Sequence, residues 1–140
     1  MGNNWDFKGW ATYYNTPCAD NRIIEPGCFK EQDGQSVPLF IDTYHFNVFE
    51  DCIGHAVLEA REEGIYCYGY FFDDERAQID NTKAMLQEGI LKSLGIMANK
   101  LDEEKKNDGF THVKNAKIRY VSILGKYPSN PKAKIEVIQV

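Results

Sequence analysis

The side chains of this 140-residue sequence best suited to chemistry near neutral pH are three histidines, His45, His55 and His112, and four cysteines, Cys18, Cys28, Cys52 and Cys67. An imidazole within reach of a hydroxyl would make a general base and nucleophile pair. Ser122 in YVSILG reads as an ordinary strand residue. His55, beside Gly54, and His112, beside a polar loop, read as surface or partly buried histidines. The cysteines form no C-x-x-C pair and have no histidine at ligand spacing, which argues against a zinc site and a redox motif. Four free thiols are expected, with Cys67 filling core volume inside IYCYGYFF. Acidic residues gather at 50–51, 59–63, 73–75 and 102–104, where they read as solvated turns and strand ends. Neither a metal nor a cofactor is expected.

Composition sets what could position such groups. With 43% hydrophobic and 26% charged residues, 8 Tyr, 8 Phe and 2 Trp, the chain can bury one real core, and a single domain over 1–140 is expected. The formal charge of -5 and the scattered lysines leave no basic stripe, so direct nucleic-acid binding is not expected. No apolar run approaches the roughly 20 residues that span a bilayer. The start MGNNWDFKGW lacks the basic and apolar regions of a signal peptide, so a cytoplasmic protein without membrane association is the expectation.

The segment 7–15, FKGWATYYN, is rich in β-favouring residues and ends in a turn cluster, predicting an opening strand. RIIE reads as a second short strand, CFKEQDG as one helical turn before Gly34, and SVPLFID as a buried strand with Pro38 tolerable near its start or at an edge. IGHAVLEA and GIYCYGYFF, separated by a charged turn with Gly64, predict an antiparallel hairpin. DDERAQIDNTKAMLQEGILK is the clear helical stretch: Asp80 or Asn81 can cap it, Met85, Leu86 and Ile90 share a face, Lys92 falls in the last turn, and Gly89 threatens to end it early. SLGIMANKL reads as a strand, KLDEEKKNDG as a polar loop, THVKNAKIRYVSILG as a hairpin arm or two short strands, and KAKIEVIQV as a closing strand. About seven strands around one main helix, without βαβ alternation, define an α+β domain with a mostly antiparallel β-barrel.

In this order the segments resemble the prohead serine proteases of tailed phages, whose fold is similar to the herpesvirus assemblins. FKGWATYYN resembles the family's Gly-aromatic first strand, and RIIEPGCFK its apolar-x-Pro-Gly-Ala-Phe segment. VPLFID and IGHA resemble the strand and return that flank the catalytic His, and GIYCYG a Gly-Leu-x-Val-x-Gly strand. EGILKSLGIM resembles the passage that delivers the nucleophile, and IRYVSILGKYPSNPKAKI the terminal Glu-x-Ser-apolar-Val … Pro-Ala-Asn-Pro-x-Ala signature.

The resemblance implies catalytic positions that this sequence leaves empty. Gly95 stands where the nucleophilic Ser would be, Thr43 where the His would be, and Tyr120 where the acidic residue that orients the His would be. Glycine offers no attacking atom and threonine no imidazole-type base. His45 and Ser93, each displaced by two residues, would keep to their faces of antiparallel strands, so an active maturation protease with a shifted dyad is the alternative. Asp42 is read as a structural hydrogen-bonding residue.

What the resemblance implies is an inactive member: a decoration or cement protein on the exterior of a phage capsid, in the virion after assembly in the host bacterial cytoplasm. Its partner would be the major capsid protein or a second copy of the chain. Tyr44, Phe46 and Phe49, apolar rings in a connecting loop, are the expected interface residues.

Overall fold

A computed structural model describes residues 4–42, 52–125 and 128–140. Among them eight strands form one mostly antiparallel sheet that carries a single α-helix. The strands are β1 (Phe7–Tyr13), β2 (Arg22–Ile24), β3 (Ser36–Ile41), β4 (Cys52–Ala60), β5 (Gly64–Phe71), β6 (Ser93–Lys105), β7 (Thr111–Leu124) and β8 (Ile135–Ile138). The helix, α1, is Ala77–Gln87, and a 3-10 turn covers Lys30–Gln32.

Strand alternation explains most of these elements. In β5 Ile65 and Cys67 point into the core and are fully buried, while on the opposite face Tyr68 and Tyr70 are half-exposed and Tyr66 is covered by its neighbours. The β4–β5 hairpin pairs as the sequence predicts, from Gly54 opposite Phe71 to Ala60 opposite Ile65. Pro38 sits opposite His55, and the pairing of β3 with β7 begins only at Leu39, so its missing N–H removes nothing from that ladder.

β7 is the spine. Along one edge it pairs antiparallel with β6 over its full length. On the other it runs parallel to β2 at Thr111–Val113 and parallel to β3 at Val121–Ile123. In the gap between those two short partners, the buried Gln32 amide takes a strand's place. Its Nε2 donates to the Ile118 carbonyl at 3.0 Å and its Oε1 accepts from the Ile118 N–H at 2.7 Å.

From β7 the sheet continues through β3, β4, β5 and β1 to β8. It curls into a half-barrel whose far ends are tied by the segment leading into β8. Ser93 bridges Lys134, the Ile135 N–H donates to Lys92, and the Trp10 N–H donates to Lys134. Phe7, Phe29, Leu39, Leu58, Ile65, Leu94, Ile118 and Ile123 fill the core, and α1 covers it with Ile79 and Leu86. Each such side chain contributes about 1.5–3 kcal/mol of transfer free energy.

Three expectations are corrected. The 100–109 segment is a loop only from Lys106 onward: β6 runs to Lys105 and forms a long arm with β7. Its polarity reflects exposure of both faces, with Glu104 paired to Lys114 at 2.6 Å and Glu103 to Arg22 at 2.8 Å. The stretch 111–124 is one strand, the hairpin arm that was the first of its two readings. The helix begins earlier than the Asp80 or Asn81 cap implies, with Arg76 at the N-cap in extended conformation. Gly89, at φ 75°, ends it, so Ile90 is exposed beyond the helix and Lys92 lies outside it.

Candidate functional site

Cross-strand register gathers the positions singled out in the sequence. Gly95 on β6 lies opposite Ser122 on β7, which lies beside Phe40 on β3. Two pairs along, on the same face, Met97 lies opposite Tyr120. Diagonal neighbours on one face of an antiparallel pair lie about 7–8 Å apart, so Gly95 and Tyr120 share one patch. The end of β3 is anchored to the same place, because the Asp42 N–H donates to the Ile123 carbonyl at 3.0 Å. The Phe40 ring meets the Tyr120 ring edge-on at 4.7 Å.

A cavity of about 480 Å³ opens alongside, and Asp42, Gly95, Tyr120 and Ser122 contribute to its lining. Its apolar wall includes Phe29, Leu94 and Val113. Cys18, Thr12 and Asn130 supply polar lining. Asn130 is held by Thr12 and the Tyr13 carbonyl, at 3.2 and 2.8 Å.

The chemistry available at this patch is limited. Gly95 presents no side chain, and a Cβ built there would lie 3.2 Å from Leu124 Cδ1, tight against a movable methyl. The Tyr120 hydroxyl is pushed up by burial and then by the charge of Asp42, which keeps it protonated and unfit as a base near neutral pH. Burial pushes the Cys18 thiol, the one cysteine in the cavity wall, up to about 11, with the Asp20 charge adding to it. A thiol held in that form is a poor nucleophile.

The described histidines are far from both serines. His55 stands on β4, separated from β6 by β7 and β3, roughly 14 Å away at ~4.8 Å per strand. It is exposed and stacks on Tyr70, with ring centroids 4.9 Å apart. His112 lies ten residues along β7 from Ser122, roughly 30 Å at ~3.3 Å per residue. It is clamped between Glu25 (3.1 Å from Nδ1) and Asp108 (2.7 Å from Nε2). Ser93 starts β6 opposite Leu124, half-buried, with no hydrogen bond to a histidine among the described residues. Thr43, His45, Tyr44, Phe46 and Phe49 lie outside the described residues.

Cys18, Cys28, Cys52 and Cys67 are all free thiols. Among the described residues no group of three or more His, Cys, Asp or Glu could hold a metal ion, and no helix is long and apolar enough to cross a membrane.

Two features were not read from the sequence. Ser122 shares the row of Gly95, a fact that depends on a register between strands 27 positions apart. The clamp on His112 joins the β6–β7 turn to the residue after β2, and His112 and Asp108 were separable as i, i+4 only once the turn was known. Comparison of the chain with models of known families, with curated proteins and with solved structures finds no match.

Proposed function

We propose that this chain is a non-catalytic structural protein of a tailed-phage head, a decoration or cement protein bound to the outside of the major capsid protein. Its scaffold would be that of a prohead protease that has lost its chemistry. The observation that supports this reading is the row Gly95–Ser122–Phe40, with Tyr120 beside it. The two described positions that the resemblance assigns to nucleophile and acid are brought onto neighbouring strands, yet one lacks a side chain and the other is a protonated phenol. Gly95 and Tyr120, the two of these positions among the described residues, are thus near each other on one sheet. Loss of its reacting groups leaves a folded domain whose remaining use is binding.

The test is the protein content of purified mature heads, read by gel and mass spectrometry. The reading expects the intact 16.1 kDa chain in fixed stoichiometry with the capsid subunit. Absence from mature heads, with presence in proheads, would point instead to an assembly factor and overturn the decoration role. Cleaved capsid protein whose cleavage depends on Ser93 and His45 would point to the shifted dyad.

A further inference from the structure

The outer face of β1, β5 and β8 carries a chain of aromatic rings distinct from the Gly95 patch, in which Tyr66 is buried and Trp5, Trp10, Tyr13 and Tyr68 are half-exposed. Cross-strand register sets Glu59, Tyr66 and Trp10 in one row, and Val57, Tyr68, Lys8 and Val137 in the next. Ring contacts run without a break from Trp5 to Tyr68 (6.4 Å), Tyr68 to Tyr66 (5.7 Å), Tyr66 to Trp10 (5.0 Å) and Trp10 to Tyr13 (4.9 Å). Three cations lie over it: Lys8 at 5.0 Å from the Trp5 ring, Arg61 at 3.7 Å from Tyr66, and Lys132 at 4.8 Å from Tyr13.

The geometry decides what such a face can hold. Successive rings are inclined by 57–86°, so no two share a plane. Stacked bases need open ring faces, and here cations occupy three of them. Trp, Tyr and Arg together are instead the residues that anchor protein interfaces.

Charge then narrows the partner. Both carboxylates of the face are engaged internally. Glu59 accepts from Arg61 and from the Tyr68 hydroxyl, and Glu136 accepts from the Tyr66 hydroxyl at 2.7 Å. Lys8 and Lys132 have no carboxylate partner among the described residues, in a chain whose formal charge is -5. Cation–π contact leaves each ammonium free to pair with an incoming acid.

We propose that this aromatic and cationic face is the surface that docks on the capsid, and that it fits an acidic patch of the capsid subunit. The inference rests on the decoration reading above and assigns that reading's contact surface. Complementary charge would set orientation and rate of capture, while the half-exposed rings of Trp5, Trp10, Tyr13 and Tyr68 supply the buried centre and the buried Tyr66 holds them in place.

The experiment is co-sedimentation with empty shells assembled from the major capsid protein, over a range of salt. Lys8→Glu with Lys132→Glu is expected to weaken binding about tenfold or more and to flatten its salt dependence. A control that changes net charge equally elsewhere, Lys30→Glu with Lys117→Glu, is expected to stay within about twofold. A second pair, Lys8→Gln with Lys132→Gln, keeps much of the packing over the rings and should fall between them. Binding unchanged by the Lys8 and Lys132 substitutions, or weakened equally by the control, overturns this face while leaving shell binding standing. An unmodified chain that does not sediment with shells overturns the decoration reading, and this proposal with it.

Discussion

Burial and ion pairing shift the titration of several side chains that lie away from the aromatic face. Burial pushes the thiols of Cys18 and Cys28 up to about 11 and that of Cys67 up to about 12. At pH 8 the thiolate fraction of each is on the order of a thousandth or less. Iodoacetamide mapping by mass spectrometry should therefore label these three at least about a hundredfold faster once the chain is unfolded; rapid native labelling of Cys18 would contradict its assigned environment. The carboxylates around His112 make a second prediction. Glu25 is held below its ordinary value first by Lys106 and then by His112, whereas Asp108 is held down first by His112. A carboxylate lowered in the folded state stabilises it above the ordinary carboxylate range, and that stability is lost as pH falls through the folded value. Thermal stability should thus decline on acidification below about pH 4.5. Carboxylate titration by NMR should show His112→Gln raising the Asp108 midpoint, and Lys106→Met acting more on Glu25.

Elements are held together at places the one-dimensional pattern does not show. Gln32 occupies the gap on β7 between β2 and β3, satisfying both backbone groups of Ile118. Gln32→Ala leaves two buried groups unpaired, so a loss of about 2–4 kcal/mol is expected in urea denaturation; a loss under 1 kcal/mol would show that water replaces the amide. Gly9 allows β1 to approach β8, since a Cβ there would lie 2.3 Å from the Lys134 carbonyl oxygen. Gly9→Ala should cost about 1–3 kcal/mol, read in the same assay. The hairpin of β4 and β5 was legible because its apolar residues alternate around a charged turn. The distal half of β6 was not. Both of its faces meet solvent, so Asp102 to Lys105 carry no apolar period, and pairing with β7 alone makes them a strand. The helix start was misjudged because Arg76 caps by backbone conformation without a side-chain hydrogen bond.

Over the whole molecule, the half-barrel brings residues 42, 95, 120 and 122 to one patch beside a cavity. Gly95 and Tyr120 were singled out only through the family resemblance, and their closeness follows from the β6–β7 register. Ser122 was not, since its place depends on a long-range register. The aromatic face escaped notice for a related reason: its rings come from β1, β5 and the residues just before β1, and only sheet order makes them adjacent. The central claim proposed above is that the chain binds the capsid without hydrolysing its subunit, the Gly95 patch lacking reacting groups. Its most direct test is intact-mass spectrometry of the capsid precursor after prolonged incubation with this chain. The account predicts an unchanged precursor mass. New fragments that vanish with Ser93→Ala and with His45→Ala would contradict it.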